Sequence, residues 1–191
     1  MPAGSRRESS KSRGRVRIVG GAWRSRLISV PASPDLRPTP DRVRETLFNW
    51  LGGDLSGLAC LDLFAGSGAL GFEAASRGAG HVVMVERDPG ALARLQANRA
   101  ALMADQVEIV AGDALAYLAR AARRFDVVFL DPPFRQNALP AVLAALPSHL
   151  NPEARVYVEA AQPVELQPPW KELRCKRAGR VSYQLLQLGG R

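Results

Sequence analysis

The sequence predicts an α/β fold built on a mostly parallel sheet, and three observations carry that expectation. The apolar run from Leu58 to Phe64 passes into Ala65-Gly66-Ser67-Gly68-Ala69-Leu70-Gly71 and then into a helical pattern through Arg77, which is a strand, glycine-rich turn, helix unit. Further β-branched runs follow at His81 to Glu86, Val107 to Val110 and Phe125 to Leu130, with helical stretches between them. Strands that alternate with helices form parallel βαβ units. The runs also end on, or just before, an acidic residue: Glu86, Asp113 and Asp131. In open parallel sheets ligands bind at the carboxyl edge, so these carboxylates are candidate ligand contacts.

The elements follow in chain order. Arg17 to Val30 holds two short alternating runs around Gly20-Gly21, which predicts a β-hairpin carrying Trp23, Arg24 and Arg26. Pro31 to Pro40 is a proline-rich linker, and Asp41 starts an amphipathic helix through Leu51 with Val43, Leu47, Phe48 and Leu51 on one face. Asp88-Pro89 places an N-cap and a first-turn proline at the start of the next long helix. Asp113 caps a helix expected over Ala114 to Ala122. Leu139 to Leu150 is expected to be helical and Arg155 to Glu159 a fifth strand of the sheet. Trp170 to Arg177 and Val181 to Leu188 make two strands around the turn Ala178-Gly179-Arg180.

Chemistry concentrates at Asp131-Pro132-Pro133-Phe134, directly after the buried strand Phe125 to Leu130. Consecutive prolines donate no backbone hydrogen bonds and hold the chain extended, so the Asp131 carboxylate and the Pro132 carbonyl face one point as acceptors. Phe134 supplies a flat stacking surface. An exocyclic amine on a nucleobase is a poor nucleophile because its lone pair is delocalised into the ring. Two acceptors on its N–H bonds and an aromatic floor localise that pair, and positioning of this kind can supply roughly 7–11 kcal/mol of a barrier, with stacking adding about 1–3 kcal/mol of binding. A strand end with a proline turn and a buried phenylalanine is the ordinary structural explanation of the same four residues.

Gly66, Gly68 and Gly71 satisfy the pattern G-x-G-x-x-G, which together with an acidic strand end at Glu86 serves a nicotinamide dinucleotide and S-adenosylmethionine equally well. From the residues alone, a nicotinamide-dependent oxidoreductase, an adenine-N6 DNA methyltransferase and a noncatalytic RNA-binding module all stay open.

Leu61-Asp62-Leu63-Phe64-Ala65-Gly66-Ser67-Gly68, Glu86, Asp113 and Asp131-Pro132-Pro133-Phe134 resemble the ordered motifs of class I S-adenosylmethionine-dependent amino-methyltransferases. With Arg17-Ile18-Val19-Gly20-Gly21-Ala22-Trp23-Arg24 and Arg37-Pro38-Thr39-Pro40-Asp41-Arg42-Val43-Arg44-Glu45-Thr46-Leu47-Phe48-Asn49, the chain is similar over about residues 15 to 188 to the bacterial 16S ribosomal RNA guanine-N2 methyltransferase family, small-subunit methyltransferase D. The resemblance implies a Rossmann-like, seven-stranded sheet with an antiparallel C-terminal hairpin and an N-terminal hairpin extension. It implies S-adenosylmethionine near Asp62, Phe64, Gly66, Gly68, Glu86, Asp113 and Ala114, with Glu86 on the ribose and Asp113 on the adenine. Asp131, Pro132 and Phe134 would act on the target guanine. From the residues themselves, Trp23, Arg24 and Arg26 suit unpaired bases and phosphates, although packing of Trp23 on the main domain explains it as well, and Pro133, Arg37 and Arg42 are further candidate RNA contacts. One of Arg37, Thr39 and Arg42 would reach the donor's carboxylate, although capping and surface charge explain these three as well.

Composition fits this scale. A chain of 191 residues that is 47% hydrophobic suits one α/β domain over residues 41–191, preceded by an arm and linker at 17–40 and a basic tail at 1–16. No apolar run approaches the roughly 20 residues of a membrane span, and the chain lacks a signal-peptide core, so the expectation is a cytoplasmic protein without membrane association. Cys60 and Cys175 are expected to be free buried thiols, and no spacing suggests a metal site. The net charge is +8, and before Ile18 six basic side chains face only Glu8, a local net of +5. Such a segment suits RNA phosphates or simple solvation. The partner expected is 16S rRNA in a small-subunit assembly particle, bound by a monomer.

Overall fold

The computed structural model describes residues 14–30, 39–133 and 137–189. Seven strands form its sheet: β3 (Ala59–Asp62), β4 (His81–Glu86), β5 (Val107–Ala111), β6 (Phe125–Leu130), β7 (Leu150–Ala160), β8 (Trp170–Ala178) and β9 (Val181–Leu188). Their order is β5-β4-β3-β6-β7-β9-β8. The pairs β3 with β4, β3 with β6, β4 with β5 and β6 with β7 are parallel, and β9 runs antiparallel between β7 and β8. The Rossmann-like sheet and the antiparallel C-terminal hairpin are as the sequence predicts. The order reverses between β3 and β6, which opens a crevice above their carboxyl ends.

Helices α2 (Ala69–Ser76), α3 (Pro89–Leu102), α4 (Ala114–Leu118) and α5 (Leu139–Ala145) connect the strands, and α1 (Asp41–Trp50) precedes them. On one face of the sheet Cys60, Val82, Met84, Phe129 and Tyr157 pack against Leu47 and Phe48 of α1 and Phe72 of α2. On the other, Leu61, Val83, Val128 and Val158 pack against Leu118 of α4 and Val142 of α5. Strands covered on both faces read as continuous apolar runs. For that reason β4 and β6 stand out in the sequence with correct bounds, while β9 is placed by the turn signal at Ala178-Gly179-Arg180. Asp88 caps α3, accepting from the Ala91 amide at 2.8 Å, with Pro89 in the first turn.

Three boundaries of the main domain differ from expectation by four residues or more. The helix after Asp113 ends at Leu118 rather than Ala122, because the following Arg120, Arg123 and Arg124 are exposed and offer no face to bury. Helix α5 stops at Ala145 and tightens into a 3-10 turn over Leu146–His149. Pro147 lacks the N–H that a continuing α-helix needs. Strand β7 then begins at Leu150, five residues before the expected Arg155, with a register shift opposite Phe125 and Val127.

The N-terminal extension is a two-stranded antiparallel pair, β1 (Arg15–Arg17) with β2 (Leu27–Ser29). It starts at Arg15, and Val16 is buried, so the expected tail boundary at residue 16 falls inside a packed strand. The extension is fastened to the main sheet's helices. The Ser29 amide donates to Asn98 Oδ1 at 2.9 Å, and Asn98 Nδ2 donates to the Ser29 carbonyl at 2.7 Å, as a neighbouring strand would. Ser76 donates to the Gly20 carbonyl at 2.6 Å and accepts the Trp23 amide at 2.9 Å. A Cβ on Gly21 would lie 1.9 Å from the Ser76 carbonyl oxygen, which explains a glycine there. Residues 1–13 of the tail and residues 31–38 of the linker lie outside the described residues.

Candidate active site at the carboxyl edge of the sheet

The glycine turn between β3 and α2 sits at the topological switch. Gly68 has φ of 77°, a left-handed conformation disfavoured for residues with a side chain, and a Cβ there would meet Leu95 at 2.6 Å and Phe72 at 2.7 Å. The Gly66 amide donates to Glu86 Oε2 at 2.7 Å, while Glu86 Oε1 accepts from the Arg87 and Asp88 amides, each at 2.8 Å. The half-buried Glu86 carboxylate thus pins the turn to the end of β4.

Asp62, the last residue of β3, is 1% exposed and its Oδ2 accepts the Gly71 amide at 3.2 Å. Among the described residues its Oδ1 is buried without a partner. Burial pushes its carboxyl up to about 7, backbone N–H donors from Gly71 and Phe64 oppose that, and the Glu86 charge adds to it. An orphaned acid beneath a glycine turn fits a ligand that brings a positive charge or N–H donors. A methyl donor of the S-adenosylmethionine type carries an ammonium group and meets that requirement. Asp113 is exposed and caps α4 through one oxygen, Oδ1, which accepts the Leu115 and Ala116 amides at 2.9 and 3.2 Å. Among the described residues its second oxygen accepts no hydrogen bond. Ala114 is buried beneath it, and Phe64 is half-buried beside the turn.

Across the switch, Asp131 follows β6 with Pro132 buried and Pro133 exposed after it. Burial, then the Glu159 and Asp62 charges, hold the Asp131 carboxyl well above the ordinary range, and the Thr39 hydroxyl draws it partly back. Glu159, near the end of β7, is itself raised by burial against hydrogen bonds from Tyr157 and Thr39. Tyr157 donates to Glu159 Oε2 at 3.0 Å and Thr39 to the same oxygen at 3.2 Å. Three of the edge's carboxylates, Asp62, Asp131 and Glu159, are therefore carried by three adjacent parallel strands.

Of the remaining candidates, Trp23 is half-buried against the core, Arg24 and Arg42 are exposed, and Arg26 donates to the Ala101 carbonyl at 2.6 Å. None of these four is joined to the carboxyl edge by a hydrogen bond among the described residues. Phe134 and Arg37 lie outside the described residues. Two functional features do not stand out in the sequence. Glu159 closes the apolar stretch Val156 to Val158 of β7 on an acid, the same signal as Glu86 and Asp131, yet nothing beside it in the chain distinguishes it from an ordinary strand end. Arg44 resembles surface charge, but it is fully buried, pairing with Glu73 at 3.3 Å and donating to the Thr39 carbonyl at 3.2 Å and the Arg17 carbonyl at 2.7 Å. It ties the extension, α2 and the segment carrying Thr39 together. Cys60 is buried as expected, whereas Cys175 is exposed because it lies on the edge strand β8. Among the described residues no group of three or more His, Cys, Asp or Glu is arranged to hold a metal ion, and no helix is long and apolar enough to cross a membrane.

A sheet that closes with an antiparallel pair, instead of a sixth parallel strand, departs from the nicotinamide-binding arrangement, and its match to solved methyltransferase structures places the chain in the Rossmann-like methyltransferase class. The family model described as Conserved hypothetical protein 95 matches residues 16–187. The protein named Ribosomal RNA small subunit methyltransferase D from Escherichia coli strain K12 is 45% identical over 181 residues, which covers 91% of this chain and 90% of that protein. Its namesake in Haemophilus influenzae is 42% identical over 188 residues, 94% of this chain and 97% of that one. The solved structure of yhhF from Escherichia coli matches with a TM-score of 0.84 at 42% identity, covering 93% of this chain and 100% of that chain. The chain belongs to the ribosomal RNA small subunit methyltransferase D family.

Proposed function

We propose that this protein transfers a methyl group from S-adenosylmethionine to the exocyclic N2 amine of one guanine in 16S ribosomal RNA. The observation that carries this reading is Asp131, an acid with raised basicity at the crevice edge, next to a buried proline and across the switch from the glycine turn. Relatives named as ribosomal RNA methyltransferases support the substrate class.

On the donor side, Asp62 Oδ1 would pair with the ammonium group, the Gly66 to Gly68 backbone would underlie the methionine portion, Glu86 would accept from the ribose hydroxyls, and Asp113 would accept from the adenine amine. When bound, the donor supplies an electrophilic methyl on sulfur: the N2–C bond forms as the S–C bond breaks, and the amine loses one proton. Asp131 and the Pro132 carbonyl orient the amine by accepting its two N–H bonds, which turns the nitrogen lone pair toward the donor. Burial that raises the Asp131 pKa also suits it to take up the released proton. The guanine must be unpaired or turned out of its helix to enter such an edge.

The test is incubation of small ribosomal subunits lacking the modification with the protein and labelled donor, followed by nucleoside analysis. N2-methylguanosine at one position of 16S RNA is the expected product. N6-methyladenine in duplex DNA, with the ribosomal RNA unlabelled, would overturn the substrate assignment.

A further inference from the structure

Asp131 and Pro132 explain how an amine is held but not which base carries it, because guanine N2 and adenine N6 are both planar exocyclic amines. The bases differ at the neighbouring ring atom. Guanine presents N1–H, a donor, beside its N2 amine, whereas adenine presents a bare N1 acceptor beside its N6 amine.

The molecule has a second acid placed to read that atom. Strands β6 and β7 are parallel with Leu130 opposite Val158, so Asp131 and Glu159 occupy the next rung. Phe129 and Tyr157, two rungs before that pair, face one core cluster, and alternation turns Asp131 and Glu159 to that same face. Glu159 is only 6% exposed. Its two hydrogen bonds, from the Tyr157 and Thr39 hydroxyls, both fall on Oε2, which fixes the carboxylate. Among the described residues no donor reaches Oε1. With Oε2 held by the two hydroxyls, Oε1 is the oxygen of this carboxylate left to accept from a ligand donor. The Glu159 charge, which adds to burial in raising the Asp131 carboxyl, points the same way.

We propose that Glu159 determines the base: its Oε1 accepts guanine N1–H while Asp131 accepts from the adjacent N2 amine. Two neighbouring acceptors match two neighbouring donors on the Watson–Crick edge of an extruded base. Adenine would set its N1 lone pair against a buried carboxylate, an unmatched pairing of the kind that gives strong rejection. Accepting N1–H also shifts electron density toward N2. Thr39 and Tyr157 act as positioning residues through Oε2.

This inference rests on the guanine-N2 reading above. Its test uses small-subunit particles reconstituted with 16S RNA that carries either guanine or 2-aminopurine at the modified position, since 2-aminopurine keeps the 2-amino group and lacks N1–H. The wild type is expected to lose at least about 100-fold in kcat/KM on 2-aminopurine. In Glu159→Gln the two hydroxyls hold the amide oxygen where Oε2 was, leaving the NH2 toward N1. The variant should therefore lose about 100-fold on guanine and reverse the preference toward 2-aminopurine, with donor affinity by calorimetry close to that of the wild type. A merely structural role would not invert a base preference. A Glu159→Gln protein with wild-type preference overturns the proposal, as does a wild type that methylates both bases equally well, which requires no variant to fold. A wild type that leaves guanine particles unmethylated would instead overturn the guanine-N2 reading, and this inference with it.

Discussion

The two halves of the carboxyl edge treat their acids differently. On the donor half, Glu86 accepts three backbone N–H groups and Asp113 accepts two. On the acceptor half, Asp131 and Glu159 are crowded together and answered by hydroxyls from Thr39 and Tyr157. Backbone amides fixed by a turn and two helix starts make a site that is formed before any ligand arrives. Burial raises both acids and the Glu159 charge raises Asp131 further, which donors from a bound base would relieve. Affinity for the donor is expected to reside in the first half and turnover with base choice in the second.

The sharpest break in this comparison is Asp131→Ala. Turnover should fall by at least about 100-fold, the scale of removing one interaction made in the transition state, while donor affinity stays within a few fold. Labelled-methyl transfer and calorimetry read the two quantities separately, and near-normal turnover would remove Asp131 from the chemistry. Glu86→Ala is expected to do the reverse, weakening S-adenosylmethionine by about 1–3 kcal/mol, the size of a charged hydrogen bond, with turnover at saturating donor little changed. Unaltered affinity in that variant would move the ribose interaction elsewhere.

Asp62 links the halves through pH. Its carboxyl sits at about 7 in the folded protein against 3.8 when unperturbed. Between those values the folded protein holds a proton that the unfolded chain has released. Stability of the ligand-free protein should therefore fall as pH rises through that window, by at most roughly 1.4 kcal/mol per pH unit. Donor binding through the ammonium group needs the ionised form, so affinity should climb as pH rises toward about 7 and flatten above it. Asp62→Asn should abolish both trends in thermal melts and calorimetry; their persistence would assign the titration to another group.

The smallest effect concerns RNA attachment. Deleting residues 1–13 spares Val16 and strand β1 and removes Arg6, Arg7, Lys11 and Arg13 together with Glu8. For every phosphate that these side chains neutralise, the slope of log affinity against log salt should become shallower by roughly 0.7 in the shortened protein. An identical slope would leave those charges to solvation alone.

Much of this arrangement is legible in the sequence because local chemistry fixes it. Strands buried on both faces give unbroken apolar runs, so β4 and β6 can be bounded to the residue, and Asp88-Pro89 marks its helix start without tertiary information. Glu86 and Asp131 can be singled out since each ends such a run. What stays hidden depends on pairing between distant segments. Nothing near Arg44 in the sequence says that Glu73 will neutralise it in the core, 29 residues away. Glu159 becomes informative only when β7 is laid beside β6, and Thr39 only when the segment before α1 reaches an acid 120 residues further on. Gly20-Gly21 suggests a flexible hairpin turn, yet at Gly21 close approach to α2 sets the requirement.

The central claim is that one guanine of 16S RNA receives its N2 methyl group at this edge. Mass spectrometry of ribosomal RNA from cells lacking the protein, complemented with wild type or with Asp131→Ala, tests it most directly. The account expects N2-methylguanosine to vanish from one position, to return with the wild type and to stay absent with Asp131→Ala. A methyl group that persists without the protein, or that Asp131→Ala restores in full, would contradict it.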